Sequence, residues 1–263
     1  MIKFVQCRRC YGKNGKVLPP GFISKIVKAK DGVTDVEVAE ECECHKKWKA
    51  KVTLLSKLEK ANIPTSVADI SIDSYKGNKS IANVERIKTY VSKYTSCKDE
   101  MIQMKLAQSS IYMYGINGTQ KTTLAWWVAK ELISAGKSVH YILMNDLIKL
   151  LQKADRDENI KDKIDKMSDV DLLIIDESFD KGKITLYSTG WQMSYIDTFL
   201  RSRLQSKNKG IMFVSNVSPE DITENKFEYA IQDLVIRKTH GNVMKFEDRY
   251  MDEVASIDVE NLF

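Results

Sequence analysis

Apolar residues along the chain fall into two patterns. Nearly uninterrupted blocks at Ile111–Tyr114, Val139–Leu143, Leu172–Ile175 and Ile211–Val214 read as strands buried on both faces. A further short run, Asn242–Phe246, reads as a last strand. Between the blocks, apolar residues recur at helical spacing. Leu124, Val128 and Leu132 mark a helix ending near Gly136, and others follow over Asn145–Leu151, Trp191–Gln205 and Glu220–Ile236. Strand and helix alternate, as in an α/β domain. The charged stretch Lys153–Lys166 reads as a solvated surface, and Ser178–Gly190 as a polar loop.

The front of the chain is patterned differently. Two strand-like runs, Phe22–Val27 and Val33–Val38, precede an amphipathic helix over His45–Asn62. Trp48, Val52 and Leu55 lie on one side of it, with Lys46, Lys47, Lys49, Lys51, Lys57 and Lys60 around them. Ile63-Pro64 stops this helix, residues 65–80 are rich in turn formers, and Ile81–Thr95 is helical again. The expected division is an N-terminal unit over 1–62, a linker over 63–80 and a larger α/β domain over 81–263.

Composition adds two constraints. No run of about 18 uncharged apolar residues exists, so no membrane span is expected. Cys7, Arg8, Arg9 and Cys10 stand where a signal peptide needs an apolar core, which points to the cytoplasm. The net charge of +5 is uneven: residues 1–60 hold 14 Lys and Arg against 7 Asp and Glu, and the rest 27 against 29. An acidic partner, nucleic acid or protein, would be drawn to the front segment.

The stretch with the most chemistry is Gly115-Ile-Asn-Gly-Thr-Gln-Lys-Thr-Thr123, set between a strand and a helix. Backbone N–H groups of such a loop and the following helix start converge on an anion. Gly115, Asn117, Gly118, Thr119, Gln120, Lys121, Thr122 and Thr123 are the expected phosphate cradle for ATP or ADP. Lys121 would reach the β- and γ-phosphates and Thr122 would bind Mg²⁺. The usual pattern has glycine directly before the lysine; here Gln120 stands there, which is tolerable only if its φ is negative. The alternative is an ordinary strand–turn–helix. Against it, Asp176-Glu177 ends an apolar strand about 55 residues later. Asp176 is expected to hold Mg²⁺, and Glu177 to orient and deprotonate the attacking water. Asn216, ending the next buried strand, could reach the γ-phosphate or merely form a turn.

Four of the five cysteines form two tight pairs, Cys7/Cys10 and Cys42/Cys44, with His45 adjacent as a possible substitute. In a reducing compartment such pairs suggest structural zinc rather than disulfides. The alternative is free thiols in a basic head.

Taken together, Ile63-Pro64, the Gly115–Ala125 loop, Asp171-Leu-Leu-Ile-Ile-Asp-Glu177, an arginine thirteen residues before Asn216 and a C-terminal arginine pair resemble helicase loaders of the DnaC/DnaI type, which are AAA+ ATPases. Transposition ATPases of the IstB type are similar in the same region. The resemblance implies a doubly wound parallel sheet of order 5-1-4-3-2. It also implies self-association on single-stranded DNA and delivery of that strand to a replicative DNA helicase. By position it makes Asn216 a sensor and places Arg237 as the arginine that reaches a neighbouring subunit's γ-phosphate. Arg203 is a second candidate for that role, and Arg249 sits near a second sensor. Two other functions share the pattern: an IstB-like transposition ATPase, and an adaptor that binds nucleotide without hydrolysing it. Lys181, Lys183 and Tyr187 are candidate nucleic-acid contacts.

Overall fold

The structure is a computed structural model that describes residues 21–30, 32–75, 77, 79–97, 99–185, 191–206 and 209–249. Contacts divide the chain into two compact units, one up to Lys57 and one from Leu58 onward.

In the first unit, β1 (Phe22–Lys28) and β2 (Asp35–Glu41) form an antiparallel hairpin, with Phe22 opposite Glu41 and Lys28 opposite Asp35. The second strand thus starts two residues later than the apolar pattern suggests. The turn is closed by Ala29 N–H to Thr34 O (2.8 Å) and Gly32 N–H to Ala29 O (2.9 Å). The Cys42 carbonyl then accepts the N–H groups of His45 and Lys46, starting helix α1 (Glu43–Lys60). Cys7 and Cys10 lie outside the described residues.

The second unit holds a five-stranded sheet of β3 (Ile111–Gly115), β4 (Val139–Leu143), β5 (Leu172–Asp176), β6 (Gly210–Ser215) and β7 (Val243–Phe246). Its order is β4-β5-β6-β3-β7, with every pairing parallel. In chain-wide numbering the order is therefore not 5-1-4-3-2, because the hairpin strands take the first two labels. Counted within this sheet alone, its first strand, β3, lies between its last, β7, and its fourth, β6.

Helices cover both faces. On one side α5 (Met144–Ala154), α6 (Glu158–Ser168), α7 (Trp191–Gln205) and α8 (Tyr229–Thr239) share a core with Tyr112, Leu173, Ile175, Ile211 and Phe213. Alternation sends Met113, Ile174 and Met212 to the opposite face. There α4 (Lys121–Ser134) packs on the sheet and α2 (Ile81–Ser96) packs on α4. All residues of β5 and β6 are buried, and each fully buried Ile or Leu contributes about 2 kcal/mol.

Several segments differ from the pattern-based expectation. Within the expected linker the chain makes short 3₁₀ turns, Thr65–Asp69 and Ile72–Ser74, with Val67 fully buried. Helix α3 (Glu100–Gln108) was not visible as a pattern; Asp99 caps it by accepting the N–H groups of Met101 and Ile102. The charged stretch around Lys166 is helix α6, capped by Asp157, and it drives Ile164 and Met167 into the core. The expected helix from Glu220 is instead two 3₁₀ turns followed by α8. Among the described residues no helix is long and apolar enough to cross a membrane.

Candidate functional site

The site lies at the C-terminal ends of β3, β5 and β6, where the register keeps strand ends level: Tyr114 pairs with Ser215, and Ile175 with Phe213. The loop after β3 starts at Gly115, whose φ is +144°. A Cβ there would stand 1.9 Å from the Phe246 carbonyl oxygen of β7, so the close approach of β7 requires glycine. The loop ends at Gln120, which takes the left-handed conformation (φ 60°, ψ 19°) just before α4. The expectation of negative φ at this position is thus corrected. The chain keeps the geometry a glycine would supply and accepts about 1 kcal/mol of strain for it. Glu177 and Phe179 also have positive φ, so three of the five such non-glycine residues described border this loop cluster. Backbone strain of this kind persists where surrounding contacts over-determine it, and it concentrates at functional sites.

Lys121, the first residue of α4, is 7% exposed. Its ammonium donates to Gly115 O (2.7 Å), Ile116 O (2.8 Å) and Thr119 Oγ1 (3.0 Å). Burial pulls its pKa from 10.5 down to about 8, while the charge of Asp176 works the other way. The cation is curled onto its own loop. The hydroxyl of Thr122 donates to Asp176 Oδ2 at 2.7 Å, joining the start of α4 to the end of β5. The same Oδ2 accepts from the Tyr141 hydroxyl (2.9 Å), and Oδ1 accepts the Glu177 N–H (2.7 Å). Tyr141 reaches Asp176 from β4, with Trp126 of α4 packed edge-on against its ring. Burial, then the Asp176 charge, push the Tyr141 phenol well above its usual pKa, so it stays a donor.

Residues 117–122, Asp176, Glu177 and 214–216 line one cavity of about 240 Å³. The expected cradle, acidic pair and sensor asparagine therefore meet in one place. Glu177 Oε1 lies 3.3 Å from Lys183 Nζ, and Asn216 Nδ2 donates to Asp180 Oδ2 at 3.2 Å. Beside the cradle, Ile70, Ile72, Tyr75, Thr123, Leu124 and Trp127 line a small, largely apolar hollow of about 20 Å³. Tyr141 and Lys183 had not been assigned these contacts. For Tyr141 the available signal was a phenol inside an apolar strand, whose hydroxyl needs a buried partner.

The arginines separate. Arg237 is exposed in the last turn of α8, paired with Asp233 at 2.6 Å, and Arg249 is exposed beyond β7. Arg203 is not available to any neighbouring subunit, which corrects its place as a candidate for that role. It is 1% exposed, and its guanidinium donates to the carbonyls of Ser168 (2.6 Å), Val170 (2.9 Å) and Gly210 (2.8 Å), at the opposite end of the strands. Burial lowers its pKa to about 10.

In the first unit the Cys42 and Cys44 sulfurs lie 3.4 Å apart. Two sulfurs on one tetrahedral zinc, with bonds of about 2.3 Å, stand roughly 3.8 Å apart, so the pair suits an ion after a slight opening. His45 Nδ1 faces Glu41 Oε1 at 2.8 Å, and its ring stacks on Trp48. Among the described residues no group of three or more His, Cys, Asp or Glu is placed to hold a metal.

The fold is an α/β domain on a five-stranded parallel sheet, with a glycine-containing strand–loop–helix and two carboxylates around one cavity. Residues 91–182, which span the cradle and both carboxylates, match the family described as IstB-like ATP binding protein. No curated protein matches the chain significantly by sequence. Solved structures share the fold. A DNA replication initiation factor aligns over 74% of this chain and 54% of its own, with 17% identity and a TM-score of 0.53. DnaI aligns over 70% of this chain and 94% of its own, with 17% identity and a TM-score of 0.53. The replication initiator DnaA, bound to AMPPCP and single-stranded DNA, aligns over 67% of this chain and 49% of its own, with 18% identity and a TM-score of 0.51. The chain thus spans about half of the initiation factor and of DnaA, and nearly all of the DnaI structure. The loader and IstB resemblance drawn from the motifs agrees with these matches.

Proposed function

We propose that the chain is an ATP-hydrolysing switch of the helicase-loader kind, assembling on single-stranded DNA and passing that strand to a replicative ring helicase. The observation that carries this reading is the meeting of Lys121, the Thr122–Asp176 pair and Glu177 around one cavity at the C-terminal strand ends. ATP would lay its phosphates over the loop N–H groups, with its base towards the apolar hollow beside Thr123. Lys121 would leave its own loop carbonyls for the phosphate oxygens. Thr122 Oγ1 and Asp176 are hard oxygen donors side by side and would hold Mg²⁺, which when bound neutralises charge on the β- and γ-phosphates. Glu177 would accept the proton of the attacking water, and Asn216 would orient that water. Arg237 would reach a neighbouring subunit's nucleotide and tie hydrolysis to assembly, and Arg249 would serve near a second sensor. The fold shared with an initiator solved with AMPPCP and single-stranded DNA supports the choice of ligands.

The first unit would grip the helicase, with zinc on Cys7, Cys10, Cys42 and Cys44, or His45 in place of one of them. Metal analysis tests this: one zinc per chain, lost in Cys42→Ser, is expected, and a metal-free folded protein contradicts it.

The experiment for the whole reading is ATPase activity with and without single-stranded DNA, for the parent and Glu177→Gln, alongside capture of a ring helicase. DNA-stimulated hydrolysis that Glu177→Gln abolishes is expected. Binding without hydrolysis under any stimulation would leave a nucleotide-binding adaptor. The family match over residues 91–182 favours one further reading, an IstB-like transposition ATPase; stimulation by duplex DNA in preference to single strands would select it.

A further inference from the structure

A second cavity, of about 480 Å³, opens in the second unit beside the β4 edge of the sheet and shares no lining residue with the nucleotide cavity. The strand alternation that turns Tyr141 towards Trp126 turns His140 and Ile142 the other way, to the side of α5 and α6. Ile142 is buried and Leu150 of α5 partly buried, so the floor is apolar. Around it stand Lys60, Lys149, Lys153 and Lys163, against two acids, Glu59 and Asp146. Lys149 is paired with Asp146 (3.2 Å), but Lys60, Lys153 and Lys163 are exposed and have no ion-pair partner among the described residues. Burial, then the Lys163 charge, holds the His140 pKa below its ordinary value, so the positive potential reaches into the groove. A peptide cannot add here as a strand at Tyr141, whose N–H already donates to Ala61 O (2.9 Å) and whose carbonyl accepts from Asn62 Nδ2 (3.0 Å). Recognition runs instead through side chains: apolar groups on Ile142 and Leu150, carboxylates on the lysines.

A segment of the chain itself has the complementary chemistry. Residues 250–263 hold Asp252, Glu253, Asp258 and Glu260, no Lys or Arg, and Val254, Ile257, Val259, Leu262 and Phe263 between and after the acids. The described residues end at Arg249, just past β7, and β7 is the opposite edge of the sheet, four strand spacings from β4. That is about 19 Å. A segment of this length reaches at most about 50 Å, enough to pass around the helices between. We propose that residues 250–263 seat in this groove, with their acids on Lys60, Lys153 and Lys163 and an apolar side chain on Ile142. This inference is independent of the nucleotide reading. Seated there, the segment withholds the three lysines from any other polyanion.

The test is fluorescence anisotropy of a labelled synthetic peptide of residues 250–263 added to full-length chains at low salt. In one chain the four acids are neutralised (Asp252→Asn, Glu253→Gln, Asp258→Asn, Glu260→Gln), so that its own segment no longer competes. A tethered segment competes at an effective concentration on the order of 1 mM. The peptide should therefore bind the neutralised chain at least about ten-fold more tightly than the parent. Adding Lys153→Glu and Lys163→Glu to that chain should weaken binding at least about ten-fold, through like-charge repulsion. Melting should change little, because both lysines are exposed, and Lys153→Ala with Lys163→Ala should lie between. Equal affinity for the parent and the neutralised chain, no saturable binding, or binding indifferent to the two lysines overturns the proposal. So does oligo-dT binding that the two Glu substitutions abolish in a chain that takes up no peptide, which gives the groove to nucleic acid.

Discussion

Two buried cations, Lys121 and Arg203, do similar local work and have opposite meanings. Each is under 10% exposed, each donates to a cluster of backbone oxygens, and burial lowers the pKa of each. Lys121 stands at the C-terminal ends of the strands, over a cavity of about 240 Å³, on a loop that carries backbone strain. Arg203 stands at the N-terminal ends, where its planar fork joins the approach to β5 with the start of β6. A lysine with a depressed pKa and carbonyl partners gains a better partner when a phosphate arrives. An arginine whose two terminal nitrogens donate to three carbonyls at the closed end of the sheet has a structural task, and removing it strands those carbonyls. Burial of a charge therefore does not mark a site by itself; an open cavity beside the charge does.

The contrast can be broken in several ways. The largest effect should come from Gly115→Ala, whose methyl would meet the Phe246 carbonyl at 1.9 Å in a left-handed backbone. A loss of about 4 kcal/mol or more is expected, seen as insoluble or unfolded protein; a soluble variant with parental melting would refute the close approach of β7. Arg203→Met should cost about 3 to 5 kcal/mol in denaturant unfolding and leave nucleotide affinity within two-fold. A stable variant that binds ATP poorly would reverse the roles given to the two cations.

The pH dependence sharpens the comparison. Lys121 has a folded pKa of about 8 against an ordinary 10.5, so between these values the unfolded chain binds the extra proton. Its contribution makes the ligand-free protein more stable as pH rises through that window, since the buried charge is being removed. ATP needs the ammonium, so affinity should fall above pH 8, by up to about ten-fold per pH unit. Calorimetric titrations at pH 7 and 9 check the sign, and Lys121→Ala should lose the dependence. The smallest effect is expected from Gln120→Gly. Relief of left-handed strain, set against the greater freedom of glycine in the unfolded chain, should raise Tm by about 2 °C at most. A fall of several degrees would mean that the Gln120 side chain holds the loop by contacts of its own.

Much of the second unit was legible because its strands are buried on both faces and so read as apolar blocks. The spacing from Lys121 to Asp176 also survives folding, since α4 begins and β5 ends at the same rim. Helix α3 escaped notice because Met101 and Ile102 are exposed, leaving no apolar stripe to read. Helix α6 hides two core residues among charges. Arg203 was misplaced for a topological reason. Spacing along the chain does not say which end of a strand an arginine faces, and α7 returns the chain to the start of β6. The left-handed Gln120 was unreadable because a non-glycine residue there costs energy that only the folded surroundings offset.

The account rests on a triphosphate sitting over Lys121. Calorimetric titration of ATP with Mg²⁺ into the parent, Lys121→Ala and Arg203→Met measures this directly. The expected result is one saturable site in the parent and in Arg203→Met, and affinity at least about a hundred-fold weaker in Lys121→Ala, whose Tm stays within about 2 °C of the parent. Equal affinity in the parent and a folded Lys121→Ala would place the nucleotide elsewhere and contradict the account.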